Sequence, residues 1–196
     1  IQKIASKVTL LAQETLSDTL ALLEHDNLQK AVRIMQKANQ IHLAAISYSL
    51  LLGQIFKLDM LRIGKNVNIC NTNGEELFLP AVIKNNDCII IISYSGEIHN
   101  LCSLARTLKG RSVPIIAITS LGDNELKKYA DVVLHISTRE KLYSKIAGYS
   151  NENSIKLILD ILYSCYFNLM YDDNLARRIA ISKQAEVGRE STLEIM

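Results

Sequence analysis

Two short segments carry the residues best suited to chemistry: Ser47-Tyr48-Ser49, and Ser93-Tyr94-Ser95-Gly96-Glu97-Ile98. Each follows an apolar run and precedes a helical pattern. The serine hydroxyls would therefore sit beside the unpaired N–H groups and the positive dipole end of a helix start. Together these groups make the chemistry of a phosphate pocket. Gly96 would let the backbone turn tightly and approach an anion closely. The same serines could simply cap their helices, as serine frequently does at strand-to-helix turns, and spacing alone leaves both readings open.

Proton-transfer catalysis would need an acid–base pair beside the ligand, and candidates are few. Glu97 lies in the second segment, where it reads either as a base or as a first-turn carboxylate complementing the helix dipole. His99 follows directly and reads as a ligand contact or a solvent-facing helix residue. His25, His42 and His135 stand apart, and Glu140 and Glu152 lie where the chain could return toward the pocket. Metal-ligand spacings, a nucleotide-binding G-x-x-x-x-G-K-[ST] and the hydrolase G-x-S-x-G are all missing, so neither a metal nor a cofactor is expected. The basic pairs Lys127-Lys128 and Arg177-Arg178 read as solvated faces.

The elements that must position these residues follow from periodicity. Ile4, Val8, Leu11, Leu16, Leu20 and Leu23 form the stripe of one amphipathic helix, and Leu28, Ala31, Val32, Met35 and Ala38 that of a second, entered through a capping box at Asp26 and Gln29. Short apolar runs at 41–46, 67–70, 88–93, 114–119 and 131–136 read as strands. Helical stretches at 50–61, 75–83, about 98–110 and 124–129 lie between them, with Asn85-Asn86-Asp87 as a turn. This alternation predicts parallel crossovers in a doubly wound α/β layer. Residues 88–92, apolar throughout, predict the sheet centre. Residues 154–170 are apolar on nearly every side, which predicts a helix that is buried or shared with another subunit. The tail from Asp172 to Met196 is mixed-charge and weakly helical, and its role is not readable.

Composition bounds the rest. The chain has 196 residues, 48% of them hydrophobic, enough to bury roughly 70% of its unfolded surface in one domain without a disulfide or metal. Lys and Arg number 22 against 20 Asp and Glu, a net charge of +2 that lacks the field for non-specific nucleic-acid or membrane-surface binding. No apolar run approaches the roughly 20 residues of a membrane span. The opening Ile1-Gln2-Lys3-Ile4 has neither an initiator Met nor a signal-peptide pattern, which suggests an excised piece of a longer protein. Four dispersed cysteines without C-x-x-C read as reduced core thiols of a cytoplasmic protein.

The second segment, preceded by Asp87-Cys88-Ile89-Ile90-Ile91-Ile92, resembles the S-x-S-G-x-T loop of the sugar isomerase (SIS) domain. Leu61-Arg62-Ile63-Gly64, Pro114 to Thr119, Tyr129 to Leu134 and Leu159-Asp160-Ile161-Leu162-Tyr163 stand in a similar context and order. Glu14-Thr15-Leu16 and Leu28-Gln29-Lys30-Ala31 are similar to the leading helices of RpiR/MurR-type transcriptional regulators. The resemblance spans roughly residues 10–170. It implies a three-layer α/β/α sandwich with a five-stranded parallel, flavodoxin-like sheet over 41–172. Residues 1–40 would be helices linking to a helix-turn-helix domain outside the chain, and 173–196 a tail. It further implies a non-enzymatic effector sensor that binds a phosphorylated sugar through Ser47, Ser49, Ser93, Tyr94, Ser95, Gly96, Glu97 and Ile98. Such a sensor forms a homo-oligomer and meets DNA only through the linked domain. The alternatives are an aldose–ketose phosphate isomerase of the same fold and an oligomerisation module with a vestigial pocket. Two departures fall inside the loops: Ala45 and Ser47 replace the glycines of the usual G-x-G-x-S, and Ile98 replaces the threonine of the second loop.

Overall fold

The computed structural model describes residues 1–70, 74–137, 139 and 147–185. Helices α1 (Gln2–Leu22) and α2 (His25–Lys37) lead into strand β1 (Ile41–Ala44), followed by α3 (Ser47–Leu61) and β2 (Val67–Ile69). A 3-10 turn (Glu75–Leu77) and one-turn α4 (Leu79–Val82) connect to β3 (Cys88–Ile92), α5 (His99–Gly110) and β4 (Ile115–Ser120). A second 3-10 turn (Leu126–Lys128), β5 (Val132–Ile136), α6 (Tyr149–Asn168) and α7 (Tyr171–Ala185) complete the chain.

The strands form a five-stranded parallel sheet in the order β2-β1-β3-β4-β5, with Ile41 opposite Cys88, Ile89 opposite Ile115 and Ile116 opposite Val132. β3 is the middle strand, and all five of its residues are buried, as an unbroken apolar run requires when helices cover both faces. On one face Ile41, Leu43, Ile90 and Ile92 pack with Met35 of α2, Phe56 and Met60 of α3, and Ile155, Ile158 and Leu162 of α6. On the other, Ile89, Ile91 and Ala117 pack with Leu101, Leu104 and Leu108 of α5. The result is a three-layer sandwich. α6 is buried within the chain along Ile155, Ile158, Leu159 and Leu162, which answers the question left by its all-round apolarity.

Several expectations need correction. α1 forms, but Ile4, Val8, Leu16 and Leu20 of its apolar stripe are exposed, and its buried residues are Thr15 and Thr19. Thr15 Oγ1 donates to Ser150 Oγ (3.1 Å) and Thr19 Oγ1 to Ser154 Oγ (2.8 Å), so α1 meets α6 through a seam of small hydroxyl side chains. Small residues let two helix backbones come close, and the paired hydroxyls meet each other's hydrogen-bonding needs. The N-cap of α2 is Glu24, two residues before the anticipated cap, and it makes no side-chain capping bond. The helix expected at 75–83 breaks into a 3-10 turn and α4, because Pro80 lacks the N–H that a continuous helix would use. Residues 171–185 are helical, in keeping with the weak helical pattern of the tail.

Asn85-Asn86-Asp87 is a turn, and Asp87 is also a buried staple. Its carboxylate accepts the N–H groups of Gln40 (3.1 Å) and Lys84 (2.8 Å), tying the entry of β3 to the residue before β1. His42 Nε2 lies 3.5 Å from the same carboxylate, and both buried ring nitrogens lack a hydrogen-bond partner. Burial holds this imidazole below its ordinary pKa, against the opposing pull of the Asp87 charge. Burial also pushes the Cys88 thiol up to about 12, so it stays protonated and unreactive, in keeping with a core cysteine.

Candidate functional site

β1 and β3 are neighbours, with Ala44 paired to Ile91, yet the helices that follow them leave to opposite faces: α3 packs in one core cluster and α5 in the other. Such a reversal opens a crevice at the carboxyl ends of the two strands. Ser47-Tyr48-Ser49 stands on one side of it and residues 93–98 on the other, so the fold brings the two segments together.

On the β1 side, Ser47 is not in a loop but begins α3, and the helix start has no side-chain cap and no acidic residue in its first turn. Its first N–H groups are therefore left for another acceptor. Ser47 and Tyr48 are exposed and Ser49 is half-buried. Ser47 adopts φ +54, one of two positive-φ non-glycine residues among those described, a backbone conformation that favours glycine. Left-handed backbone costs an L-residue about 1–2 kcal/mol, which glycine avoids at an unfolded-state entropy cost of roughly 0.5–1 kcal/mol. Ser47→Gly is therefore expected to raise stability by up to about 1 kcal/mol, and Ser47→Val to lower it by about 1–3 kcal/mol. Urea unfolding of the two variants checks this, and equal midpoints would mean that the turn is not held.

On the β3 side, the segment folds back on itself. The Gly96 N–H donates to Ser93 Oγ (3.1 Å) and the Glu97 N–H to Ser95 Oγ (3.2 Å). Each hydroxyl accepts one bond and keeps its own O–H to give. Ser93 is buried, Tyr94 and Ser95 are half-buried, and Gly96 takes φ +67. Neither serine caps α5: its N-cap is Ile98, without a side-chain capping bond, and Ile98 packs on the α5-side core. At that position the chain gains an aliphatic anchor in place of a hydroxyl. Glu97 Oε1 accepts the Glu125 N–H (2.8 Å), so this carboxylate pins the loop to the β4–β5 connection. His99 is exposed.

Sequence reasoning missed the brace behind this loop. The Gly96 carbonyl accepts the N–H of Leu126 (3.0 Å) and Cys102 Sγ (3.2 Å), and the Tyr94 carbonyl accepts the Ser120 N–H (3.2 Å). The Asn124 side chain lies directly over Gly96, donating to Thr119 Oγ1 (3.1 Å) and accepting the Lys127 N–H (3.3 Å). Nothing local in the sequence marks Thr119 or Asn124, because their partner is about 25 residues away. Beside the brace, a cavity of about 540 Å³ is lined by Glu97, Asp123, Asn124, Glu125, Lys127 and Lys128, whose carboxylates make it a poor seat for an anion. Glu140 lies outside the described residues, and Glu152 stands in the first turn of α6. Among the described residues no group of three His, Cys, Asp or Glu side chains could hold a metal, and no helix is long and apolar enough to cross a membrane.

A doubly wound parallel sheet in the order β2-β1-β3-β4-β5, with helices on both faces, defines an α/β protein of the flavodoxin-like class. The model of the SIS domain matches residues 34–163, and the chain belongs to the SIS domain family. Among solved structures it is similar to the Vibrio vulnificus NanR protein complexed with ManNAc-6P (TM-score 0.85, 16% identity, covering 95% of this chain and 70% of that one). It is also similar to the sugar isomerase domain of an RpiR transcription factor from Sphaerobacter thermophilus (TM-score 0.80, 16% identity, 92% and 99% covered). Phosphoheptose isomerase GmhA from Neisseria gonorrhoeae superposes with TM-score 0.70 at 14% identity, with 85% and 98% covered. At these identities the likeness is one of fold, and it takes in regulators and isomerases alike.

Proposed function

We propose that the chain is the effector-sensing domain of a cytoplasmic RpiR-type transcriptional regulator. It binds a phosphorylated sugar between Ser47, Ser49 and the 93–98 loop, while DNA is bound by a helix-turn-helix domain outside this chain. The observation that carries the reading is the pairing of two helix starts without side-chain caps with serine hydroxyls that still have a proton to donate. NanR, which superposes over 95% of this chain, was solved with ManNAc-6P, and this makes a sugar phosphate the ligand class to test first. The sensor is favoured over the isomerase because Glu97 is engaged with the Glu125 N–H and His99 is exposed, so neither is poised as an acid–base partner.

Homo-oligomerisation belongs to the same proposal. Tyr48, Leu51, Ile55 and Leu58 stand exposed at i, i+3, i+7 and i+10 along α3, a continuous apolar stripe beginning beside the crevice. A second copy covering it would border the ligand and convert occupancy into a change of subunit arrangement, to the extent that one arrangement binds the ligand better.

Calorimetric titration with hexose, pentose and N-acetylhexosamine phosphates tests the ligand. One sugar phosphate is expected to bind selectively, and Ser93→Ala to weaken it roughly ten- to a hundredfold, the effect of losing one hydrogen bond to a charged group. Binding that survives Ser93→Ala would move the phosphate elsewhere. Turnover of a bound sugar phosphate in product analysis would replace the sensor by the isomerase.

A further inference from the structure

We infer that Asn151 reads a hydroxyl on the sugar end of the ligand, an inference that rests on the sugar-phosphate reading above. Asn151 is 9% exposed, and its side-chain oxygen is buried with no hydrogen-bond partner. Buried polar atoms are almost always paired, so an orphan of this kind asks for a partner that arrives from outside the chain.

The position of Asn151 says where that partner comes from. It belongs to the stripe Asn151, Ile155, Ile158 and Leu162 along α6, and the three apolar members are fully buried in the cluster that also holds Ala45, Ile92 and Tyr94. The stripe faces the sheet, and Asn151 is its uppermost member. The direction of α6 is set by contacts at both ends. At the far end, Tyr166 shares a cavity with Ile63, Gly64 and Lys65, which precede β2, so that end lies at the amino edge of the sheet. At the near end, Ser150 and Ser154 bond Thr15 and Thr19 of α1. The same stretch of α1 is gripped by Arg139, three residues beyond β5, through Glu14 (2.6 Å) and Asp18. The first turn of α6 thus stands at the carboxyl edge of the sheet, and Asn151 projects from it toward the strand ends where the crevice opens.

A phosphate seated among Ser93, Ser95 and the helix starts leaves the rest of the ligand to extend over those strand ends. A sugar hydroxyl both donates and accepts, so it satisfies the Asn151 amide in either orientation. Inorganic phosphate, or the phosphate ester of an apolar alcohol, offers nothing there. Asn151 is thus a specificity residue that favours a polyhydroxylated phosphate ester over phosphate alone.

The test compares wild type with Asn151→Leu, branched at the same carbon but apolar, by calorimetric titration. The probes are inorganic phosphate, glucose 6-phosphate, N-acetylmannosamine 6-phosphate and arabinose 5-phosphate. The readout is the ratio of affinities for the best sugar phosphate and for inorganic phosphate. Wild type is expected to prefer one sugar phosphate, and Asn151→Leu to cut that preference about tenfold or more while phosphate affinity stays within about twofold. A variant that is more stable and keeps its preference would overturn the inference, since Asn151 would then be an orphan with no role in binding. A wild type that prefers no sugar phosphate over inorganic phosphate would instead overturn the sugar-phosphate reading itself, and this inference with it. If the leucine variant does not fold, Asn151→Ser is judged by the same ratio.

Discussion

Gly96→Ala is expected to lower stability by about 2–4 kcal/mol and to weaken sugar-phosphate binding by more than tenfold. Two costs add. Gly96 sits at φ +67, where alanine is strained by about 1 kcal/mol or more. A Cβ at Gly96 would also come within 2.1 Å of the Asn124 side chain, too close for any real contact. Asn124 cannot swing away freely, because it is buried, bonds Thr119 and Gly122, and receives the Lys127 N–H. The loop must then move, and with it the Ser93 and Ser95 hydroxyls, which accept from the Gly96 and Glu97 N–H groups. For a chain of this size the loss corresponds to a drop in Tm of roughly 5–15 °C. Adding Asn124→Ala should return the steric share and leave the backbone share. Thermal and urea unfolding of the single and double variants measure both, and a Gly96→Ala protein within about 0.5 kcal/mol of wild type would sink the account.

Asp87→Asn is the second large effect, at about 2–3 kcal/mol near pH 8, because an amide cannot replace a carboxylate that accepts from both Gln40 and Lys84. Its amide N–H₂ would face one of those N–H donors. The change also removes the negative charge that holds the His42 pKa up against burial. The folded protein keeps His42 neutral, whereas the unfolded chain takes up a proton below about pH 6.5. The unfolded state therefore binds more protons in that window, and stability falls as pH drops from about 6.5 toward the lower folded value. His135, also lowered chiefly by burial, contributes with the same sign. In Asp87→Asn the folded His42 value falls further, so the decline should extend to lower pH, while His42→Leu should remove the His42 share. Urea midpoints between pH 5 and 8 decide the matter. A wild-type stability that is flat from 6.5 to 5 would mean that His42 is protonated as easily in the fold as out of it.

The three-layer fold was legible because its causes are local. Cys88-Ile89-Ile90-Ile91-Ile92 can be satisfied only by burial on both faces, and β3 indeed lies in the middle of the sheet. Strands and helices alternating at short spacing leave parallel crossovers as the simplest connection. The candidate crevice was legible for a related reason: serines clustered where apolar runs end must lie at the carboxyl ends of strands. The match of the SIS model to residues 34–163 agrees with what the 87–97 motif suggested.

Where a helix turns its faces was not legible. Periodicity places Ile4, Val8, Leu16 and Leu20 on one side of α1, but only the presence of α6, 135 positions along the chain, buries Thr15 and Thr19 instead and leaves that stripe outward. Asp87 reads locally as a turn residue and becomes a buried staple only once Gln40 and Lys84 close around it. Asn124 reads only as the start of a short helix until the fold lays it over Gly96. The sequence alone determined the five strands, the longer helices and which strand ends carry hydroxyls, since hydrophobic period and turn chemistry act over a few residues. Tertiary structure decided which polar side chains are buried and against what, because a hydrogen-bond partner far along the chain leaves no mark on the residues around either end.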